Sequence, residues 1–183
     1  MPKPQKPKLT PVKAGTKLSR SFFTDSVLNV APALVGKVLC RKLPDGTILR
    51  YRITETEAYN GESDSACHAR FGRTSRTSVM YTLGGHVYIY LCYGVHWMLN
   101  LVTGPENHPE AVLIRGIEGY PGPGKLTKCM SIDNSLNGID MIDTELLWVE
   151  DDGYTCEIKQ APRIGINYAS EKDKKLLWRF IMK

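Results

Sequence analysis

Arg52-Ile-Thr-Glu-Thr-Glu-Ala-Tyr-Asn-Gly61 places two carboxylates and an aromatic in a stretch that otherwise reads as a β-strand. Period-2 geometry sends Ile53, Glu55, Glu57 and Tyr59 to one face and Thr54, Thr56 and Ala58 to the other. The acidic face is either solvated, as on an edge strand that uses charge to discourage edge-to-edge pairing, or it carries chemistry. Upstream, residues 37–43 alternate as a strand and Pro44-Asp-Gly-Thr47 is a hairpin-type turn. Residues 48–59 therefore return as the second arm of a hairpin, with the carboxylates on that arm.

Working outward, Asp25-Ser26 offers a cap for a helix over residues 27–34, whose Val27, Leu28, Val30 and Leu34, with Val35, fit a buried stripe that Gly36 ends. On the other side, residues 61–82 are polar and irregular. They hold Asp64, His68, Arg70, Arg73 and Arg76 and little that could form a core, and loops of this length are often functional. Val87-Tyr-Ile-Tyr-Leu-Cys-Tyr93 follows as a strongly β-prone run, with further strands over 97–102 and 111–117. A short helix is expected over 126–130, strands over 146–149 and 163–166, and a closing apolar segment over 178–181. The pattern predicts one α+β domain built on a curved antiparallel β-sheet, open and barrel-like, with short surrounding helices and a protruding β-hairpin.

With 183 residues and 42% hydrophobic content the chain supports one domain with a real core. A net charge of +5 suits a polyanionic partner. The cysteines at 40, 67, 92, 129 and 156 show no short spacing of the kind a zinc site or redox motif requires, and read as reduced thiols. The first nineteen residues are rich in Lys and Pro and lack an apolar run, so neither a signal peptide nor a membrane span is expected there. Residues 1–17 read as a flexible basic tail, able to add sequence-independent phosphate contacts, ahead of a domain over 18–183. No apolar run approaches the roughly 18 residues that span a bilayer, so a soluble protein is expected.

Several stretches compete for a chemical role. Gly119-Tyr-Pro-Gly-Pro-Gly-Lys125 nearly spells a P-loop, but Leu126 follows where a magnesium-binding hydroxyl is needed, and two prolines remove amide donors. That excludes a nucleoside-triphosphate site and leaves either a plain turn or a hold on a single phosphate. Tyr88 and Tyr90 share a strand face, while Tyr93 falls on the other face or in the turn at Gly94. They are either core or a stacking surface for bases. His68 lies on the polar loop, and the four histidines show no metal-ligand spacing. Arg115 ends an apolar strand; it is either solvated or, if its strand lies beside Glu57, able to hold a water with it. No Gly-x-Ser-x-Gly and no diagnostic Cys-His pair is present.

Ile53-Thr-Glu-Thr-Glu-Ala-Tyr59, Ala66-Cys-His-Ala69, Gly85-His-Val-Tyr-Ile-Tyr-Leu-Cys-Tyr-Gly94, Asn100, Val112-Leu-Ile-Arg115, Gly122-Pro-Gly-Lys-Leu126 and Pro162-Arg-Ile-Gly-Ile166, in this order, resemble the alkyladenine (3-methyladenine) DNA glycosylase family. The resemblance runs from about Leu18 to Phe180, with a shorter segment between Ile117 and Gly122 than the family usually has. It implies base-excision DNA repair by a monofunctional glycosylase, which flips an alkylated purine out of duplex DNA and hydrolyses its N-glycosidic bond. Carried over residue by residue, Glu57 is the general base and Arg115 helps position its water. Tyr59 and Tyr90 stack on the flipped base, His68 bonds near it, and Asn100 crowds the exocyclic amine of normal guanine. Tyr93 fills the vacated stack, and Tyr88 and Lys125 contact DNA. The resemblance implies no cofactor and no metal, double-stranded DNA with damaged purines as partner, no membrane, and a monomer. The location it implies is cytoplasmic with the nucleoid in a bacterium, or nuclear in a eukaryote. Two other readings stay open on the residues alone: a non-catalytic nucleic-acid binding module, and a metal-dependent nuclease using Glu55 and Glu57.

Overall fold

The computed structural model describes residues 12–183, and its longest strand is β3 (Ile48–Asn60), 13 residues. One edge of β3 is shared by two partners. β2 (Val38–Lys42) pairs with its first half, Val38 opposite Arg52, and β10 (Arg179–Met182) takes over further along, Arg179 opposite Glu57. The other edge is covered by β6 (Glu110–Ile117), followed outward by β5 (His96–Thr103) and β4 (Val87–Cys92). On the β2 side come β8 (Leu147–Asp151) and β1 (Thr16–Lys17), while β7 (Tyr120–Pro121) turns back onto β6 and β9 (Ile158–Ala161) onto β10. The result is a ten-stranded antiparallel sheet, curved and not closed, with four short helices: the α+β architecture expected from the sequence.

The helices are α1 (Arg20–Phe23), α2 (Val27–Leu34), α3 (Pro123–Cys129) and α4 (Glu171–Lys174). In α2 the Ser26 side chain caps the start by accepting the Leu28 N–H, and Val27, Val30, Ala31 and Leu34 are buried. The Val35 N–H bonds to Pro32 instead of Ala31. That leaves the Ala31 carbonyl free to accept the Thr56 hydroxyl at 2.8 Å, which fastens the helix to β3. Gly36, at φ +91, then turns the chain into β2.

Simple alternation along β3 does not survive. Ile53 joins Ala58 in the main core, and Thr56 also points to that side, onto α2. The pairing with β6 is irregular between Ile53 and Thr56, and the face that meets the core changes parity across it. Ile53 is thereby separated from Glu55, Glu57 and Tyr59, with which the period-2 reading had grouped it. On β6 the same happens: Ile117, Ile114 and Val112 meet the main core. Leu113 and Arg115 line a cavity instead.

The main core lies between one sheet face and the helices α2 and α3, and takes in Val87, Ile89, Leu99 and Leu101. A second, smaller cluster on the opposite face packs Cys67, Met80 and Tyr81 against Tyr88, Val102 and Ala111. Residues 61–82 therefore do contribute a core, through two 3-10 turns at His68–Phe71 and Ser78–Tyr81, although they read as coreless in the sequence. A second correction concerns residues 163–166, which form no strand; the pairing segment is β9, just upstream. Pro162 has no N–H to give a ladder, and Gly165 at φ +77 turns the chain away. The apolar segment expected over 178–181 is β10, and the helix expected over 126–130 begins at Pro123, where proline's fixed φ suits a first turn.

Residues 1–11 of the expected basic tail lie outside the described residues. Thr16 and Lys17, at its end, pair with Asp151 and Glu150 on β8. Gly15 makes this docking possible, since a Cβ there would stand 2.3 Å from the Asp151 carbonyl oxygen. Among the described residues no helix is long and apolar enough to cross a membrane, and the five cysteines are free thiols. Ile114 is fully buried at the centre of the main core, whereas Val95 is 69% exposed. Urea unfolding should show Ile114→Ala losing about 2–5 kcal/mol and Val95→Ala changing by less than about 0.5 kcal/mol.

Candidate active site

The sheet face opposite the main core opens on a cavity of about 490 Å³, roofed by the loop carrying His68 and by residues 164–168. Its walls include Tyr59, Tyr88, Tyr90, Asn100 and Arg115, a size and an aromatic character suited to one small planar ligand. Glu57 is wholly buried at its edge, and three neighbours of Glu57, namely Tyr59, Arg115 and Ile164, line it.

Sheet register explains why the charged groups meet. Glu55 pairs with Gly116 and Glu57 with Leu113, so Arg115 projects diagonally between the two carboxylates. Its Nε lies 3.0 Å from Glu55 Oε1 and 3.6 Å from Glu57 Oε1. From β10, Arg179 Nε reaches the same Glu55 oxygen at 3.0 Å. Glu57 itself accepts two hydrogen bonds, from the Ile164 N–H to Oε1 at 2.8 Å and from the Tyr59 hydroxyl to Oε2 at 2.9 Å. Burial pushes the Glu57 carboxyl above its ordinary value, and Arg115, the Ile164 amide and the Tyr59 hydroxyl work against that shift. Burial also holds the Tyr59 phenol well above its usual value, so it stays protonated and donating. A carboxylate raised by burial but oriented by two donors has the properties of a general base.

The aromatic side of the cavity is equally fixed. His68 Nδ1 lies 3.0 Å from the Tyr88 hydroxyl, and its ring meets Tyr90 edge-on at 4.5 Å. Burial, with Arg76 and Arg70 nearby, lowers the His68 pKa to about 4, so the imidazole is neutral at pH 7. Asn100 is buried, its Nδ2 donating to the Tyr88 and Met98 carbonyls at 3.2 and 3.3 Å. Tyr88, expected to contact DNA, is only 2% exposed; it meets His68 through its hydroxyl and lines the cavity. Lys125, also expected on the DNA, is exposed on α3, whose Pro123 borders the cavity.

Tyr93 is 93% exposed at the tip of the β4–β5 hairpin, with Leu91 and Val95 exposed beside it. Tyr93 and Gly94 have φ of +50 and +68, and the Val95 N–H closes onto the Cys92 carbonyl at 3.1 Å. A tyrosine in a left-handed position costs on the order of 1–2 kcal/mol. Asn or Gly would suit the turn better, so the ring is kept for something other than the turn.

The family model described as Methylpurine-DNA glycosylase matches residues 21–121 and 119–183. The chain belongs to the methylpurine-DNA glycosylase family. Relatives carrying the provisional name 3-methyladenine DNA glycosylase include one from Psychrobacter cryohalolentis, 47% identical over 88% of this chain and 89% of its own. Another, from Borrelia garinii subsp. bavariensis, is 44% identical over 91% and 96%. One from Methanocella arvoryzae is 45% identical over 89% and 90%. As a methylpurine-DNA glycosylase the protein is an enzyme, a hydrolase of DNA repair. The two matched stretches meet at β7, where the connection from β6 is only a tight hairpin.

Of the residues singled out in the sequence of this glycosylase, Glu57, Arg115, Tyr59, His68, Tyr90 and Asn100 surround one cavity, and Tyr93 stands on its rim. Sequence reasoning gave no role to Asp64 or to the side chain of Arg163. They form a buried ion pair, Nη1–Oδ2 at 2.6 Å and Nη2–Oδ1 at 2.9 Å. A separation of 99 positions in the chain hides the pairing; only the position of Arg163 inside the Pro162–Ile166 motif hinted that it mattered. A ¹⁵N NMR titration of the histidine side chains should show His68 remaining neutral down to about pH 4. A midpoint near the ordinary histidine value would mean that the loop does not close over the cavity.

Proposed function

We propose that this glycosylase hydrolyses the N-glycosidic bond of alkylated purines of the 3-methyladenine type, flipped from duplex DNA into the 490 Å³ cavity. The observation that carries the reading is Glu57: a wholly buried carboxylate, held at both oxygens, among residues that line an aromatic cavity. Glu57 takes a proton from a water as that water attacks C1′ of the flipped nucleotide. The new C1′–O bond forms as the C1′–N bond breaks, and the alkylated base leaves with the bonding electrons. Alkylation already makes the base a good leaving group, so modest activation of water suffices. Among the described residues no lysine lines the cavity, which agrees with a monofunctional enzyme that leaves an abasic site uncut.

Tyr59, Tyr90 and His68 form the slot for the base. A neutral His68 puts no positive charge against an alkylated purine that already carries one. Asn100, tied by its amide to two carbonyls, cannot swing away from the exocyclic amine of an intact guanine, which makes it the candidate selectivity residue. Tyr93 fills the gap left in the stack. The nuclease reading is disfavoured because Arg115 and Arg179 already pair with Glu55, and Arg115 stands near Glu57; two guanidiniums repel a divalent cation. Phosphate contacts come from exposed cations such as Lys125 and Arg73.

Glu57→Gln should lower base release from methylated duplex DNA by about 10²–10⁴-fold while leaving DNA binding intact, and the wild-type activity should persist in the presence of a chelator. Glu57 works as the carboxylate, and its pKa is raised. Activity should therefore fall with decreasing pH through that raised value, at a higher pH than an ordinary glutamate would give. Retained activity in the Gln variant removes Glu57 from the reaction.

Tyr93→Ala should leave stability nearly unchanged, yet slow duplex processing about tenfold more than processing of a lesion already unpaired, whose stack needs no filling. Equal losses on the two substrates would assign the ring a different task.

A further inference from the structure

Arg163 touches both of the groups that hold Glu57 without being bonded to Glu57 itself. Its guanidinium is fully buried, and so in effect is Asp64, with side-chain exposures of 0% and 1%. The two-pronged pairing with Asp64 uses both Nη atoms, and Nη1 also donates to the Ala58 carbonyl at 2.9 Å, between Glu57 and Tyr59 in the chain. The face of the guanidinium lies 4.9 Å from the Tyr59 ring and 5.0 Å from the Trp178 ring, so it is wedged between β3 and β10. The next residue along the chain is Ile164, whose amide bonds Glu57. Asp64 in turn accepts the N–H groups of Asn60 and Ala66, both at 3.0 Å. One ion pair thus joins the end of β3, the start of the loop that carries His68, and residues 163–164.

We propose that Arg163, clamped by Asp64, is the positioning residue of this site, setting the Tyr59 hydroxyl and the Ile164 amide on the two oxygens of Glu57. The idea rests on Glu57 as the base, but its structural half stands without any reaction. A carboxylate that accepts two donors is favoured in its ionised form, so loosening the clamp must let Glu57 hold its proton to higher pH. The other charges facing Glu57 are Arg115 from β6 and Glu55 from its own strand, with Arg179 of β10 reaching it through Glu55. The phenol of Tyr59 completes the set. Arg163→Lys leaves all of these, and the positive charge itself, in place. A lysine cannot reproduce the planar fork, so a changed titration reports positioning and not lost charge.

The test follows the Glu57 carboxyl by ¹³C NMR in glutamate-labelled protein, assigned against Glu57→Gln, in parallel with single-turnover base release from methylated duplex DNA between pH 5 and 8.5. Arg163→Lys should raise the Glu57 midpoint by about one pH unit, giving about tenfold slower release below that midpoint and less than about threefold at pH 8.5. An unmoved midpoint with the same loss at every pH overturns the proposal and leaves Arg163 a purely structural group. Should Arg163→Lys fail to fold, the pair Asp64→Asn with Arg163→Gln, which keeps hydrogen bonding without either charge, is read the same way. If the wild type releases no base yet the Glu57 midpoint follows Arg163, the clamp stands and the glycosylase reading falls. If release is normal and the midpoint ignores Arg163, the reverse holds.

Discussion

An ionisable group with no exposed surface is the constraint on which this structure turns. Moving a carboxylate out of water costs several kcal/mol even after the surroundings relax, and only donors and opposite charge can offset it. Glu57 receives both, from an amide, a phenol and a guanidinium that belong to three distant parts of the chain. Each of those suppliers needs its own support. The amide belongs to a segment that makes no ladder, the phenol is stacked on a buried arginine, and the guanidinium of Arg115 is shared with Glu55. Much of what surrounds the cavity is explained as a chain of compensations that begins at one side chain.

The sheet makes that arrangement possible by having two usable faces. Apolar residues of β4, β5 and β6 fill the main core on one side. The alternate residues, Tyr88, Tyr90, Asn100 and Arg115, build the cavity on the other. A sheet with both faces covered would ordinarily read as continuous apolar strands. Here polar residues alternate with apolar ones because the second cover is a loop held by hydrogen bonds and small clusters, not a helix layer. The irregular pairing near Glu55 then sets how the carboxylates turn relative to Ile53.

Features governed by local chemistry were legible in the sequence. The β2–β3 hairpin follows from Asp45-Gly46, α2 from Ser26 and its apolar spacing, and the β4–β5 hairpin from an aromatic run broken at Gly94. The gathering of Glu57, Arg115, Tyr59, His68, Tyr90 and Asn100 was legible only through family resemblance, because no periodicity links residues on five separate segments. What the sequence misled on has common causes. Residues 163–166 look like a strand, yet Pro162 and the left-handed Gly165 keep them out of the ladder, and the Arg163 side chain is tied to Asp64, far away in the chain. Ile53 looks like a neighbour of Glu55, yet an irregularity that neither strand's composition announces moves it to the core. Tyr88 and Tyr90 look alike in the sequence and both line the cavity, yet depth in the fold, a tertiary property, leaves Tyr88 almost wholly covered and Tyr90 partly open.

Strand β10 adds a consequence for how the protein comes to be. It pairs Arg179 with Glu57, and the Trp178 carbonyl accepts the Ala58 N–H at 2.9 Å, so β3 lacks part of one edge until residues 178–181 exist. The β2–β3 hairpin and the β4–β5–β6 meander can pair as they leave the ribosome. The buried carboxylate, in contrast, has to wait for residues more than a hundred positions downstream before its surroundings close. A chain whose other strands had paired before β10 docked would leave its most polar interior position open to water. The dry interior thus depends on a strand far downstream of the carboxylate it covers: until β10 docks, solvent stands in for it along that edge of β3.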